Sequence, residues 1–401
     1  MDRMLTAGAA LMLATAAPLS AGTINVSAGE GAQERLQTAL IEAAPGDTVM
    51  LAPGRYELTD GLSLDVDRVT VRGAGPGQTV LSFAGQQGAG EGLLVTSDDV
   101  VLRDFAVEDS RGDGIKSKDA DRIVYHNIRV EWTGGPKATN GAYGVYPVES
   151  TDVLIDGVTV KGASDAGIYV GQSRNIIVRN STASQNVAGI EIENSYNADV
   201  YKNRAVHNTG GILVFDLPNL PMMGGHAIRV FDNEVVDNDT PNFAPAGNIV
   251  ATVPMGTGVM VMANRDVHVF GNTLSGNATA NVMVVAYKKA FDDAKYDPLA
   301  HDVVVRDNKH GRAGWAPGFP GGAELAAALG GGLPPIFWDG TGVGKAVLQV
   351  RETVPVLSLG LAEPTSPVSE AKPQLVDLSG GTPLPEPKPV VLPAAMEAAI
   401  R

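Results

Sequence analysis

Short aliphatic triplets recur along the chain between residues 69 and 308, and each is followed within a few residues by an asparagine, aspartate or glycine. The aligned polar or glycine position falls at Gly73, Asp104, Asn127, Gly157, Asn180, Asn203, Asn233, Asn272 and Asn308. An interval of 23 residues recurs between these positions, and the longer intervals contain Gly- and Pro-rich inserts. A repeat of this kind, with loops growing from one face, predicts a solenoid of stacked β coils. Asparagines at one turn of successive coils predict a ladder of side-chain hydrogen bonds.

The second strand of each repeat begins at a Gly-Ile pair or its equivalent and alternates in polarity. In Ile115-Lys116-Ser117-Lys118 and Ile190-Glu191-Ile192-Glu193, the odd members are expected to point inward and the even members outward. Before the first coil, apolar residues at helical spacing over residues 32–44 predict a helix that covers the open end of the solenoid. Outward residues of successive coils should therefore line up as stripes along the stack, about 4.8 Å apart.

The predicted helix is followed by Ala-Pro-Gly-Asp-Thr-Val-Met-Leu-Ala-Pro-Gly-Arg-Tyr-Glu at residues 44–57, and then by V-x-V and N-x-x-V repeats. In these features residues 30–308 resemble the right-handed parallel β-helix superfamily. The resemblance implies an all-β fold, a right-handed parallel β-helix solenoid with an N-terminal capping helix. That superfamily includes polysaccharide lyases, uronan C5-epimerases, other glycan-active enzymes and periplasmic accessory proteins that help load copper into nitrous-oxide reductase. The resemblance therefore predicts one fold but leaves several activities open.

Five segments follow from these patterns. An apolar run over residues 5–19 with a small-residue exit at residues 20–22 predicts a cleavable signal peptide, residues 1–21, and is too short for a membrane span. The other predicted segments are an N-terminal cap (22–62), the coils (63–310), an irregular C-terminal cap (311–360) and a Pro-rich tail (361–401). The tail is expected to be extended or disordered, or to lie along the outside of the coils. Export predicts a periplasmic or extracellular protein.

The net charge bears on the possible partners, and the cysteine content bears on the source of stability. With 30 basic and 45 acidic residues the net charge is −15, which argues against a nucleic-acid partner. There is no cysteine, so an oxidising compartment adds no disulfide and the stability must come from stacking. The sequence predicts no transmembrane segment. The partner expected from the resemblance and from the outward stripe is a polysaccharide or another extended glycan.

One outward stripe carries the side chains suited to glycan chemistry. The predicted catalytic residues are Lys116, Tyr146, Tyr169, Glu191 and Glu193. The predicted substrate-binding residues around them are Asp113, Lys118, Trp132, Lys137, Asn140 and Tyr143. A lyase or epimerase needs a cation for the uronate carboxylate and a base such as Lys or Tyr. A glycoside hydrolase needs two carboxyl groups, which Glu191 and Glu193 supply.

Two other interpretations stay open for this stripe. The chain lacks the Asp-Pro-His-Asp signature associated with bacterial alginate epimerases, and its nearest tract is residues 143–148. This lowers the epimerase interpretation in particular. The polar residues could equally be ordinary solvated surface, as strand alternation alone predicts. No cofactor is assigned from the sequence, and the acidic loop at residues 292–302 lacks the ligand spacing of an EF-hand.

A methionine group suggests a second function. The residues concerned are Met222, Met223, His226, Met260 and Met262. Thioethers select Cu(I), so the alternative is a non-catalytic periplasmic accessory protein that handles copper. A docking surface or self-association face is also predicted at Leu213, Phe215, Met260 and Met262, unless an insert or the C-terminal tail covers these residues.

Overall fold

The computed structural model describes residues 21–88, 90–345 and 347–401. The predicted signal peptide, apart from Ala21, lies outside the described residues. No helix within the described ranges is long and apolar enough to cross a membrane.

The strands form three sheets, and the chain visits them in turn as it winds. The first sheet contains Thr23–Val26, Thr48–Leu51, Thr70–Arg72, Val101–Arg103, Ile123–His126, Thr151–Asp156, Arg174–Arg179, Tyr196–Tyr201, His226–Phe231, Arg265–Phe270, His301–Arg306 and Leu348–Arg351. The second contains Leu62–Leu64, Leu93–Val95, Ile115–Lys118, Tyr143–Val148, Ala166–Gly171, Ala188–Glu193, Gly210–Phe215, Thr257–Met262, Ala280–Val285, Ile336–Trp338, Val356–Ser358 and Gln374–Val376. The third contains Gly54–Glu57, Thr79–Ser82, Ala106–Glu108, Arg129–Glu131, Thr159–Lys161, Thr182–Ser184, Arg204–Val206, Glu234–Val236, Thr273–Ser275 and Lys309–His310.

Neighbouring strands pair in parallel throughout the coils. At the C-terminal end, Gln374–Val376 pairs antiparallel with Val356–Ser358 and closes the edge of the second sheet. The helices are Ala32–Glu42, Gly322–Ala328 and Ala394–Ala398, with single 3₁₀ turns at Ile249–Thr252 and Val368–Glu370. The predicted fold, a parallel β-helix, is confirmed.

Aliphatic side chains at equivalent positions fill the inside of the coils. One such stack consists of Ile115, Val145, Ile168, Ile190, Ile212, Val259, Val282 and Ile336, all fully buried and in register from strand to strand. Branched side chains pack closely at this spacing, and each buried side chain contributes about 1.5–3 kcal/mol. The period-two pattern of the sequence therefore gives the correct inward face.

Buried asparagines run along one inner corner of the coils. The side-chain amide of Asn203 donates to Asn233 at 3.0 Å, Asn233 donates to Asn272 at 2.9 Å, and Asn272 donates to Asn308 at 2.9 Å. Each of these amides also donates to a main-chain carbonyl of a preceding coil. Glu352 ends the ladder by accepting from the Asn308 amide at 2.8 Å. The predicted asparagine ladder is present from residue 203 onward.

In the first coils, the aligned position of the predicted repeat lies one residue before the buried ladder position. Asn127 and Asn180 occupy the left-handed turn position, with φ of 50° and 52°. From the next coil onward the left-handed residue is Lys202, Asp232, Gly271 and Asp307, and the ladder asparagine follows it. The exposed turn accepts many residue types, whereas the buried position after it needs an amide that both donates and accepts. The repeat derived from the sequence therefore places asparagines of the turn position and asparagines of the buried ladder position in one column.

A second ladder was not predicted. The Asn186 amide donates to Asn208 at 3.0 Å, Asn208 donates to Asn238 at 3.1 Å, and Asn238 donates to Asn277 at 3.0 Å. The last two of these steps span 30 and 39 residues, the same intervals as in the first ladder. These matching intervals were visible in the sequence and would have identified it.

The N-terminal helix covers the open end of the coils as predicted. Leu36 and Leu40 are buried in the same core as the inward strand residues. Arg35 donates to the main-chain carbonyls of Ser27 and Glu30, which fixes the entry of the helix. Because the helix fills the first coil's opening, the aliphatic stack has no exposed end there.

The parallel sheets extend beyond the predicted boundaries at both ends. Thr48–Leu51, in the predicted cap, already pairs with Thr70–Arg72, and Ile336–Trp338 continues the second sheet in the segment predicted to be irregular. The end of the Pro-rich tail lies along the outside of the first sheet. There Met396 packs with Leu392 on Val124, Leu154 and Ile177, and Glu397 accepts two hydrogen bonds from Arg179.

Removal of one asparagine from the middle of the first ladder should be costly. Asn233→Ala leaves the Asn203 main-chain and side-chain N–H groups without their acceptor in a buried position. We expect the free energy of unfolding to fall by about 3 kcal/mol, because each unsatisfied buried group costs about 1–3 kcal/mol. Chemical denaturation measures this.

The matched control is Asn25→Ala, since Asn25 is exposed on the first strand of the same sheet. It should change the free energy of unfolding by less than about 0.5 kcal/mol. Equal effects of the two substitutions would show that the ladder does not stabilise the stack.

Candidate functional site

The outward residues of the second sheet stand in a continuous row. Lys116 is in register with Tyr146, Tyr169 with Glu191, and Glu191 with Leu213. Two residues further on, Gly171 is in register with Glu193. The structure therefore brings the predicted catalytic residues together on one face, because parallel strands hold equivalent positions about 4.8 Å apart.

Three tyrosine rings pack against one another in the middle of this row, and we call them the tyrosine cluster. The Tyr143 ring centroid lies 4.5 Å from that of Tyr146 and 4.5 Å from that of Tyr169. Tyr146 and Tyr169 meet edge to face at 4.9 Å. Tyr143 and Tyr146 are half-buried, whereas Tyr169 is buried. The half-exposed rings form an aromatic surface at the edge of the site.

The phenol of Tyr169 is held over the glycine of its own strand. A Cβ on Gly171 would lie 2.3 Å from the Tyr169 hydroxyl oxygen, so only glycine leaves room for the ring. In this position the hydroxyl donates to Glu193 Oε1 at 2.7 Å. Burial, followed by the charge of Glu193, raises the pKa of Tyr169 well above its usual range, and burial raises the pKa of Tyr146 to about 12. The phenols are therefore protonated at neutral pH.

Glu191 is the least satisfied polar group in the row. Its side chain is 1% exposed, and both carboxyl oxygens are buried without a hydrogen-bond partner. Burial, followed by the charges of Glu193 and Asp165, raises its pKa well above the usual range. A carboxylate here would lack both solvent and donors, so the neutral acid is the favoured form.

Glu193, two residues along the same strand, has a different environment. Burial raises its pKa to about 7, but the hydrogen bond from Tyr169 acts in the opposite direction and favours the carboxylate. Tyr169 is the side-chain donor that distinguishes it from Glu191. Two neighbouring carboxyl groups thus have environments that separate their protonation states.

Asp165 was missed by the sequence analysis. Its carboxylate is buried, burial raises its pKa to about 7, and it accepts a hydrogen bond from Asn248 Nδ2 at 2.8 Å. Asp113, which was predicted, accepts from the Tyr143 main-chain N–H at 3.1 Å, and burial raises its pKa to about 6. Asp165 stands before an Ala-Gly-Ile strand start much as Asp113 stands before Gly-Ile, a similarity that could have identified it. These two residues with Glu191 and Glu193 are called the carboxyl cluster.

The two predicted lysines lie at the margin of the site. Lys116 Nζ lies 3.2 Å from Glu91 Oε1 and 5.0 Å from the Tyr146 ring centroid. Lys118 is more exposed and lies 3.7 Å from a carboxylate oxygen of Glu149. Both ammonium groups are therefore directed to acidic side chains of the protein.

Three predicted substrate-binding residues belong to the insert at residues 132–140. Trp132, which was predicted to bind substrate, is buried in the main core and donates to the Ser110 carbonyl at 2.7 Å, so its ring is not at the surface. The Asn140 amide donates to the Gly135 and Gly162 carbonyls and orders its own loop. Lys137 is exposed in that loop. The insert that carries these residues closes over the coil corner, because Trp132 turns inward.

The methionine group is not assembled at one place. Met260 and Met262 line a cavity with Met283, whereas Met222 lines a separate one beside Glu149 and Arg174. His226 lies on the first sheet, where its ring packs on Tyr196 at 4.5 Å between centroids. Within the described ranges, no group of three or more His, Asp or Glu side chains is placed to hold a metal ion. The predicted five-residue copper set is therefore divided between separate parts of the fold.

The chain's own inserts cover the apolar end of the row. Leu213, Phe215, Met260 and Met262 are all buried, so they do not form the exposed docking surface that the sequence suggested. The covering includes residues 241–256, which we call the cover. Its Val250 and Val253 pack with Ala166 and Ala188 in one apolar cluster. Gly210 leaves space for Val253, because a Cβ there would lie 3.0 Å from a Val253 methyl carbon.

Comparison with known proteins supports the fold. Residues 91–278 match the family model described as a right handed beta helix region. No curated protein sequence gives a significant match to this chain.

Solved structures with similar folds include the A-module of a mannuronan C-5 epimerase from Azotobacter vinelandii, at 17% identity over 73% of this chain and 87% of that chain, with a TM-score of 0.47. An alginate lyase from a Paenibacillus species is 18% identical over 73% of this chain and 96% of that chain, with a TM-score of 0.37. A family 28 exopolygalacturonase from Yersinia enterocolitica is 11% identical over 82% of this chain and 70% of that chain, with a TM-score of 0.47. Sequence identities this low indicate a shared fold and do not indicate a shared activity.

The matched region and the three sheets, wound coil after coil, show that the chain has the right-handed parallel β-helix fold.

Proposed function

We propose that this chain is an exported glycan-active protein that binds an extended glycan along the row from Lys116 to Glu191. In this proposal it hydrolyses a glycosidic bond, with Glu191 as the general acid and Glu193 as the general base. The observation that carries the proposal is the Glu191 carboxyl group, buried with both oxygens unpartnered beside a second carboxyl group that has a donor.

A general acid must hold a proton at the working pH. Glu191 meets this requirement because burial and two neighbouring carboxyl groups raise its pKa well above the usual range. Neither oxygen has a protein partner, so the proton is free to be donated to a glycosidic oxygen.

A general base must be ionised while the acid is not. The 2.7 Å hydrogen bond from Tyr169 stabilises the carboxylate of Glu193, whose pKa is about 7. The Cα atoms of residues two apart on one strand lie about 6.6 Å apart. Inverting glycosidases hold their two carboxyl groups about 6.5–9.5 Å apart, with a water molecule between the acid and the base. We therefore propose an inverting reaction, which requires the Glu191 and Glu193 carboxyl groups to keep the spacing of their Cα atoms.

Recognition of the glycan rests on the half-exposed rings of Tyr143 and Tyr146. Aromatic faces pack against the C–H faces of sugars, and the rings stand directly beside the carboxyl cluster. The cover overlies the inner part of the row, and Asn248 ties it to Asp165. The cover therefore opens for substrate entry. Its closure over the bound glycan then excludes water during the reaction.

Elimination or epimerisation of a uronate suits these residues less well. Such reactions need a cation for the sugar carboxylate and an ionised base. Here Lys116 is already paired with Glu91, the phenols have raised pKa values, and the surrounding groups are carboxyls. A polyanionic uronan would be repelled by the ionised Glu193 and by the net charge of −15, so a neutral glycan is the preferred substrate.

Replacement of the proposed acid should abolish hydrolysis while leaving the fold intact. Glu191→Gln removes the transferable proton but keeps the size and neutrality of the side chain. We expect turnover of a neutral polysaccharide, measured as new reducing ends, to fall by about 10²–10⁴-fold.

The matched control is Glu234→Gln, because Glu234 is exposed on the third sheet and pairs with Arg204. It should keep full activity. The proposal is overturned if wild-type protein releases no reducing ends from any glycan in a broad neutral and acidic panel, or if it generates unsaturated products instead. Full activity in Glu191→Gln would remove that residue from the acid role.

The same carboxyl groups predict how stability depends on pH. A carboxyl group with a raised folded-state pKa keeps its proton in the native protein after the unfolded chain has lost it, so stability falls as the pH rises towards the folded pKa. Glu193 and Asp165, each with a pKa of about 7, and Glu191 act in this direction. His126 and His268 have lowered pKa values and act oppositely, but only below about pH 6.5.

The free energy of unfolding of the wild-type protein should therefore decrease as the pH rises above about 6.5, by at most about 1.4 kcal/mol per pH unit for each such group. The contribution of Glu193 and Asp165 ends as the pH passes their folded pKa of about 7, whereas that of Glu191 continues above it. Glu191→Gln should show a shallower decrease, since one titrating carboxyl group is gone. Glu234→Gln should follow the wild type. Denaturation at a series of pH values measures this, and a flat or rising wild-type profile would contradict the protonation assigned to the cluster.

A further inference from the structure

A cavity of about 340 Å³ lies towards the C-terminal end of the second sheet, on its outer face. The deep part of its lining is buried and apolar. It consists of Met260, Met262, Met283, Val285, Phe337 and Leu359. This is the same end of the row that the inserts cover, and it is separate from the carboxyl cluster.

The deep lining determines what this cavity can hold. A water molecule needs two to four polar partners to be held in a cavity, and the side chains of the deep lining are hydrocarbon and thioether. The volume falls within the range of about 300–1,000 Å³ that is typical of small-molecule sites. The deep part of the cavity therefore suits an apolar ligand.

The rim of the cavity adds a charge preference. Lys288 and Lys289 are adjacent and exposed, and both line the cavity. The lysines that form ion pairs in the described part of the chain are Lys116, Lys118 and Lys161, so neither rim lysine is among them. Lys289 Nζ donates to the Gly247 carbonyl at 3.4 Å, which is a neutral partner. Two adjacent ammonium groups without an acidic partner at the mouth of an apolar cavity, in a chain of net charge −15, favour an anionic head group.

We propose that this cavity binds a medium-chain carboxylate, with the acyl chain against the methionines and the carboxylate at Lys288 and Lys289. Since a water molecule occupies about 30 Å³ in the liquid, the volume holds on the order of ten non-hydrogen atoms. Unbranched, polarisable methionine side chains adapt to a flexible chain. Decanoate is therefore the probe of matching length. None of its lining residues belongs to the carboxyl cluster, although Ile249, Thr252 and Pro254 of the cover also line it.

The test is calorimetric titration of the full chain with decanoate below its critical micelle concentration and with decanol below its solubility limit. Wild-type protein should bind decanoate saturably and more tightly than decanol. The double substitution Lys288→Glu with Lys289→Glu should weaken decanoate binding at least tenfold and leave decanol binding unchanged. Lys202→Glu with Lys309→Glu, which makes the same charge change at exposed positions on other sheets, should leave both unchanged.

A second pair of variants tests the location. Val285→Phe places a ring in the deep part of the cavity and should remove binding of both ligands, whereas Val285→Ala enlarges the space and should retain it; unchanged melting temperatures show that both variants fold. The proposal is overturned if wild-type protein binds neither ligand, if Val285→Phe binds as the wild type does, or if the two charge reversals have equal effects. Self-association of the protein without ligand binding would instead assign this face to a second copy of the chain.

Discussion

Equivalent positions of successive coils lie about 4.8 Å apart, and every other feature of this protein depends on that spacing. Parallel pairing fixes it, since each coil returns to the same sheet in register with the coil before. A residue type that recurs at one position is therefore stacked on itself. On the inside this gives columns of valine and isoleucine, and at the corners it gives asparagine ladders in which each amide both donates and accepts.

On the outer face, the same spacing brings like charges close enough to repel one another. Glu191 and Glu193 share one strand, Asp165 comes from the neighbouring coil, and the cover keeps water away from them. Carboxyl groups forced into such proximity cannot all ionise, so protons are retained at neutral pH. A structural column tolerates this repetition only where the residues are apolar or can hydrogen-bond along the stack. Glu191 meets neither condition, because both of its carboxyl oxygens are unpartnered; such a group costs stability and is typical of a functional site.

The sequence predicts the parts of the structure that repeat. Alternation placed Ile115 inside and Lys116 outside, and the row of Lys116, Tyr146, Tyr169 and Glu191 followed from counting coils. What does not repeat was missed. The contact between Asn248 and Asp165 joins residues 83 positions apart, and no periodic pattern indicates where an insert folds back. Trp132 was misplaced for the same reason, because an insert has no alternation to show that its ring turns into the core.

The function proposed for the carboxyl cluster requires Glu191 to hold a proton at neutral pH. Infrared spectroscopy of the protein at pH 7 measures this protonation, since a protonated carboxyl group has a C=O stretch separate from that of a carboxylate. We expect a carboxylic-acid band in the wild-type protein that is weaker in Glu191→Gln, where Glu193 and Asp165 still contribute, and unchanged in Glu234→Gln. A wild-type spectrum without this band, or a band that Glu191→Gln leaves unchanged, would contradict this protonation.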